Sequence, residues 1–129
     1  MLQLEAKSQW IKDYGCAMMC VLEECNKRHL LTVSSENVDL YHRILAENDC
    51  FTKDQDIIWV RAFSTLGLKV TYLGHTEEGA DFIFYNWYNA RTGLYHFTHG
   101  KKNVCTYDPL GYSITAKEGI IYSVRGFKI

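Results

Sequence analysis

The chain has 129 residues, 47% of them apolar and 22% charged, which is typical of one globular domain. This composition excludes disordered, collagen-like and coiled-coil proteins. With 14 Lys and Arg against 15 Asp and Glu, the net charge is -1, so the chain lacks the basic surface that nucleic-acid binding needs. We expect a single domain, 1–129, and no nucleic-acid partner.

The cysteines and the N-terminal segment bear on the cellular compartment. Five cysteines at irregular spacing argue against a disulfide framework. The N-terminal segment lacks the basic and then apolar regions of a signal peptide, and no apolar run reaches the roughly 18 residues of a membrane span. We expect a protein with no membrane partner, kept in a reducing compartment such as the cytoplasm.

The first half of the chain is predicted to be helical. A first helix is expected from Cys16 to about Arg28, apolar all round for two turns, so its N-terminal end should be buried. A second is expected over 36–48, capped by Ser34 or Ser35, with one apolar stripe.

A third helix is predicted over 53–66. Thr52 followed by Gln55 has the spacing of a capping box, which would open the helix there. Gly67 falls where a C′ residue takes the left-handed conformation.

After Gly67 the chain is rich in β-branched and aromatic residues in short runs bounded by turn residues. Strands joined by short loops pair in antiparallel fashion. Helices followed by such strands predict an α+β fold in which the helices pack on a C-terminal antiparallel sheet. The expected strands cover 68–74, 80–88, 93–99, 103–109 and 119–127.

Cys16 is the first candidate for chemistry, because it is expected at the N-terminus of a buried helix. There the helix dipole and the unpaired N–H groups stabilise a thiolate and a developing oxyanion. Gly15 before it would let the chain approach a substrate closely. The alternative is that Cys16, like Cys20 and Cys25 on the same helix, is a small buried apolar residue.

His96 and Asp108 lie on neighbouring predicted strands. If Thr98 pairs with Val104 around a five-residue loop, His96 and Asp108 share a face as diagonal neighbours. A two-residue loop at 101–102 would put them on opposite faces. Because a proline follows it directly, Asp108 is expected to be extended and to end the pairing of its strand.

The remaining histidines are given no catalytic role. His99 is predicted to be a solvated turn residue. A zinc site from His96, His99, Cys105 and Asp108 is disfavoured, because strand alternation scatters these ligands over both faces. His29, His42 and His75 lack a nearby carboxylate pattern.

Gln9 lies seven residues before Cys16. Acyl transfer from a cysteine needs donors aimed at the oxyanion, and a side-chain amide could join the Cys16 N–H in this role. Alternatively, Gln9 is an ordinary polar residue on the surface. Trp10, next to it, is expected to be a packing residue.

In this order, Gln9, Gly15-Cys16-Ala17-Met18-Met19, His96-Phe97 and Asp108-Pro109 resemble the papain-like cysteine peptidase superfamily. The most similar branch is the bacterial one related to bacteriocin-leader-processing peptidases. The resemblance implies a thiol hydrolase of peptide or amide bonds that acts on a peptide or protein without metal or organic cofactor. Cys16 would be the nucleophile, His96 the general base, Asp108 its orienting group, and Gln9 an oxyanion donor.

Two alternatives stay open beside this interpretation. Many relatives have Cys-Gly-Pro where this chain has Cys16-Ala17-Met18. A catalytically inactive papain-like domain that binds proteins is therefore one alternative. A structural domain with buried free thiols is the other.

Overall fold

A computed structural model of the protein describes residues 1–101 and 104–129. The chain divides into two compact units, Met1–Val70 and Thr71–Ile129. The first is helical, and the second is an antiparallel sheet with one short helix, so the protein is α+β as predicted. None of the helices in these ranges is long and apolar enough to cross a membrane.

The first unit begins with a 3₁₀ turn and continues with four α-helices. The α2 helix agrees with the predicted first helix, and residues from all sides of it, including Met18, Val21 and Leu22, are buried. The bounds are Gln3–Glu5 for the turn, then α1 Gln9–Tyr14, α2 Cys16–Lys27, α3 Val38–Glu47 and α4 Trp59–Thr65.

The α1 helix was not expected from the sequence. Ser8 is its N-cap, and the Ser8 hydroxyl accepts a hydrogen bond from the Ile11 N–H at 3.4 Å. The Asp39 carboxylate accepts hydrogen bonds from the Lys7 and Ser8 N–H groups at 3.2 and 2.8 Å. A six-residue helix has too few positions to show periodicity, which is why the pattern alone does not reveal it.

The α3 helix lies where it was predicted, but its capping differs. Asn37, not Ser34 or Ser35, is the N-cap residue, and its side chain accepts from the Ser34 N–H at 2.8 Å. Val38 and Leu45 from the predicted stripe are fully buried. The apolar stripe therefore predicts where the helix lies, but it does not predict which polar residue is the N-cap.

The predicted start of the third helix is wrong. Residues 51–57 form a small turn in which Phe51 bridges Ile57 and the Thr52 hydroxyl accepts from the Asp56 N–H. Gln55 has a φ of 68°, outside the helical region, so no capping box forms. The helix ends as predicted, because Gly67, with a φ of 96°, closes a Schellman motif.

The second unit contains the five predicted strands and a helix that was not predicted. All neighbouring strands pair antiparallel, in the order β1-β5-β2-β3-β4. The bounds are β1 Thr71–Gly74, β2 Phe82–Asn89, β3 Leu94–Lys101, β4 Val104–Tyr107, α5 Ile114–Glu118 and β5 Ile120–Lys128. Ser113 caps α5 by accepting from the Ala116 N–H at 3.2 Å.

The sheet has two apolar faces of different character. On the face that we call the α5 face, Ile83, Tyr85 and Trp87 form a cluster against which Ala116 of α5 packs. The opposite face, which we call the phenylalanine face, carries Phe82, Phe84 and Phe127, and the rings of Phe82 and Phe127 stack at 4.9 Å. Both faces bury aromatic rings, so the side to which each strand residue points is strongly constrained.

Candidate functional site

Cys16 is the first residue of α2 and is partly exposed. The first backbone bond of this helix runs from the Met19 N–H to the Gly15 carbonyl at 2.8 Å, so the Cys16 N–H belongs to the open first turn. Cys20 and Cys25 on the same helix are fully buried. Burial raises the pKa of the Cys25 thiol to about 12, and the neighbouring Glu24 adds to this rise.

Gly15 joins α1 to α2 at a position that has no room for a side chain. Its φ of -81° is accessible to any residue, but a Cβ atom would lie 2.6 Å from the Ile11 carbonyl oxygen. That oxygen already accepts the Gly15 N–H at 2.9 Å. The close approach at this glycine, which was expected to involve a substrate, is therefore to Ile11 in the last turn of α1.

We expect Gly15→Ala to destabilise the protein by about 1–3 kcal/mol, the usual cost of overpacking a close contact. Without the clash, alanine would stabilise by about 0.4–1 kcal/mol, because it restricts the unfolded chain. Urea unfolding of the wild type and the variant measures the sign of the change in the free energy of unfolding. A more stable variant would show that the helix junction has room for a methyl group.

Two glutamines lie near the junction and behave differently. Gln9 is exposed at the first position of α1. Gln3 is buried, and its side-chain amide donates to the carbonyls of Ile11 and Lys12 at 2.8 and 3.0 Å. Trp10 packs as expected, with its ring stacked on His42 at 4.4 Å.

His96 and Asp108 form a buried pair in the second unit. The distance between His96 Nε2 and Asp108 Oδ1 is 2.5 Å, and the two residues are 4% and 9% exposed. The other carboxylate oxygen accepts from the Ser113 hydroxyl at 2.8 Å, and Oδ1 also accepts from the Leu110 N–H at 2.9 Å. Three donors therefore hold the carboxylate in one orientation.

The strand register that brings them together differs from the predicted one. Val104 pairs with Lys101, not with Thr98, and the predicted turn residues Lys102 and Asn103 lie outside the described ranges. Continued without interruption, this pairing would put Asp108 on the opposite face from His96. A bulge at Thr106 adds one residue to β4, so that Tyr107 pairs with His99 and Asp108 returns to the face of His96.

The carboxylate fixes the state of the imidazole. Burial raises the pKa of Asp108, but the hydrogen bond and the charge of His96, together with the bonds from Ser113 and Leu110, outweigh this effect, so the pKa lies below its usual value. An ionised carboxylate only accepts, so His96 Nε2 carries the proton in this bond. The lone pair of the neutral ring is then on Nδ1, which is the nitrogen that can take a proton from an acid.

The prediction for His99 is wrong. His99 is 4% exposed and lies on the phenylalanine face, where its ring meets that of Phe84 edge-on at 4.9 Å. It does not lie in the turn, because β3 continues to Lys101. In the ranges that the structure describes, no three His, Cys, Asp or Glu side chains are grouped to hold a metal ion.

Cys105 lies beside Asp108 in the second unit. Burial raises the pKa of its thiol; a hydrogen bond to Thr98 acts in the opposite direction, and the charge of Asp108 raises it further. Thr98 in turn accepts from the Trp87 indole N–H at 2.7 Å. A cleft of about 450 Å³ opens here, lined by Trp87, Cys105, Asp108, Tyr112, Ser113 and Lys117.

Gln3 and Ser113 are two site residues for which the amino-acid sequence carries little signal. Ser113 follows a Gly-Tyr pair and precedes a five-residue helix, so the only available signal was the preference of serine for N-caps. Gln3 had no signal, because a polar residue near an N-terminus is ordinarily exposed. The roles of Gln3 and Ser113 become visible only from the hydrogen bonds that they make in the folded protein.

The structure thus bonds His96 to Asp108 in the second unit and puts Cys16 and Gln9 in the first. A comparison with protein-family models gives no match, and comparisons with curated proteins and with solved structures give none either. The function is therefore inferred from the residues and their geometry.

Proposed function

We propose that the protein is a papain-like, cysteine-dependent hydrolase of peptide or amide bonds. Cys16 is the nucleophile, His96 the general base and then acid, and Asp108 the group that orients the imidazole. The observation that carries this proposal is the buried hydrogen bond between His96 and Asp108. A general base needs a ring held in one tautomer, and an ionised carboxylate on Nε2 provides it.

The reaction has two halves. In the first, His96 Nδ1 takes the thiol proton, Cys16 Sγ bonds to the carbonyl carbon, and the C–N bond breaks as the imidazolium returns the proton to the leaving amine. In the second, water attacks the thioester with His96 as base, which releases the acid and restores the thiol. Asp108 stabilises the imidazolium in both halves, since its low pKa keeps it ionised.

The oxyanion of each tetrahedral intermediate needs hydrogen-bond donors. The Cys16 N–H in the open first turn of α2 supplies one, assisted by the helix dipole. We assign the second to the side-chain amide of Gln9. The proposed substrate is a peptide or protein, the chemistry needs no cofactor, and the free thiols suit a reducing compartment such as the cytoplasm.

The first test is alkylation of the cysteines by iodoacetamide, followed residue by residue with mass spectrometry. We expect Cys16 to react fastest, and His96→Ala to slow its reaction about a hundredfold near pH 6, since general-base assistance is worth roughly 10²–10⁴. Cys25 is the matched control on the same helix, because it is fully buried and the pKa of its thiol is about 12.

Two results would contradict the proposal. One is a Cys16 that reacts no faster than Cys25, and the other is a rate for Cys16 that is the same in His96→Ala and wild type. Either result would favour the alternative function, a catalytically inactive papain-like domain that binds proteins. The variant Cys16→Ala shows which signal belongs to Cys16.

A further inference from the structure

Gln3 occupies an unusual position for a glutamine near an N-terminus. It is 2% exposed, and both hydrogens of its side-chain amide are used, one on the Ile11 carbonyl and one on the Lys12 carbonyl. Both carbonyls lie in the last turn of α1, where the Ile11 carbonyl also accepts the Gly15 N–H and the Lys12 carbonyl takes the donor that Gln3 supplies. Gln3 therefore caps α1 from the side.

The Lys12 carbonyl is the acceptor that the Cys16 N–H would take if α1 and α2 were one continuous helix. The flanking bonds of that pattern are present, from Gly15 N–H to the Ile11 carbonyl and from Met19 N–H to the Gly15 carbonyl. Among the backbone bonds of the described residues, none joins Cys16 N–H to Lys12. The Gln3 amide donates there instead.

The burial of Gln3 carries a cost that its donated bonds must offset. Its other side-chain atom, Oε1, is buried and has no hydrogen-bond partner in the described part of the chain. A buried acceptor that loses its donor costs the free energy of desolvating that group, so the two bonds to the Ile11 and Lys12 carbonyls account for the position of Gln3.

We propose that Gln3 is a positioning residue that keeps the Cys16 backbone N–H available to the oxyanion. By supplying the donor that the Lys12 carbonyl lacks where the helix is interrupted, Gln3 stabilises the break between α1 and α2, so the Cys16 N–H stays in an open first turn. The inference rests on the proposed function. It adds a residue that touches neither the substrate nor the thiol and acts through the backbone of Cys16.

Two reagents separate this role from a general loss of structure. Iodoacetamide alkylates the thiolate at a saturated carbon with loss of iodide, and no oxyanion forms. p-Nitrophenyl acetate acetylates the same sulfur through a tetrahedral oxyanion with loss of p-nitrophenolate. An oxyanion donor therefore affects only the second reaction.

For Gln3→Met, which keeps the length of the side chain without its donors, we expect acetylation of Cys16 to fall about a hundredfold, as on loss of one oxyanion donor. Alkylation of Cys16 should change by less than about twofold. Equal losses in both reactions, or none, would overturn the role of Gln3.

A further measurement uses the unmodified protein, so it does not depend on a variant that folds. Amide hydrogen exchange should be faster at Cys16 than at Met19, whose N–H is bonded to Gly15. Protection of Cys16 equal to that of Met19 would also overturn the inference. A different result would contradict the proposed function itself: rates of alkylation and acetylation of Cys16 that are the same in His96→Ala, with Gln3 intact, as in the wild type.

Discussion

Replacing Asp108 with alanine should lower the rate at which Cys16 is acetylated by p-nitrophenyl acetate about 10⁴-fold in the proposed mechanism, the size of loss known for changing a triad carboxylate. The variant removes the acceptor on His96 Nε2 and leaves a buried imidazole without the charge that stabilises its protonated form. It also leaves the donors from Leu110 and Ser113 without their acceptor. The rate of the initial burst of p-nitrophenolate, which reports acetylation and not the later hydrolysis of the thioester, measures this loss.

Asp108→Asn should be milder than Asp108→Ala: it lacks the charge that stabilises the imidazolium, but the surrounding donors orient the amide so that an oxygen still accepts from His96. The Leu110 N–H is fixed by the backbone and requires an oxygen at the position of Oδ1, the same atom that accepts from His96. The amide NH₂ then faces the Ser113 hydroxyl, which can rotate and accept. His96 keeps its tautomer, so the loss should stay well below the about 10⁴-fold cost of a wrong tautomer.

Ser113→Ala is the matched control for this pair of variants. It removes one bond to the carboxylate without touching His96, and its effect on the rate should be smaller than that of Asp108→Ala. The interpretation fails if Asp108→Asn loses as much activity as Asp108→Ala. It fails equally if Asp108→Ala retains wild-type activity.

Gly100→Ala should destabilise the protein by about 3 kcal/mol, at the upper end of the usual cost of overpacking. Gly100 pairs with Ile83 of β2 and with Cys105 of β4, and a Cβ atom there would lie 1.9 Å from Cδ2 of the Tyr85 ring. Tyr85 cannot swing away easily, because it is 1% exposed and its hydroxyl donates to the Glu77 carboxylate at 2.7 Å.

A double-mutant cycle with Tyr85→Leu tests whether the ring is the cause. Tyr85→Leu alone is destabilising, but in its background the added cost of Gly100→Ala should fall by about 1 kcal/mol or more, since residues in contact couple by about 0.5–3 kcal/mol. Thermal or urea unfolding of the four proteins gives the coupling. Strictly additive effects would mean that the cost of the methyl group arises from the strand backbone and not from the ring.

Much of the fold follows from local patterns in the sequence. The apolar turns after Cys16 predict a buried helix, and α2 has this character because a helix apolar all round must be covered. Gly67 ends α4 as expected, since few residues tolerate the left-handed conformation. The short runs of β-branched and aromatic residues predict the strands, and the short turns between them predict their antiparallel pairing.

Local patterns fail where a polar side chain has several possible partners. The Thr52–Gln55 spacing fits a capping box, yet Thr52 bonds to Asp56 in a turn, because nothing in the spacing selects between the two. His99 looks like a turn residue, yet β3 runs past it and buries it against Phe84. In each case the conformation depends on which residue the side chain contacts, and the spacing of residues in the sequence does not determine that contact.

The candidate site shows the same division. The position of Cys16 at a helix start follows from the amino-acid sequence alone, because it depends on composition and short-range periodicity. The meeting of Asp108 with His96 follows from tertiary structure, since a single bulge residue, Thr106, reverses the face to which Asp108 points. The role of Gln3 at the helix junction also depends on tertiary structure, because its amide reaches the carbonyls of Ile11 and Lys12, to which no sequence pattern relates it.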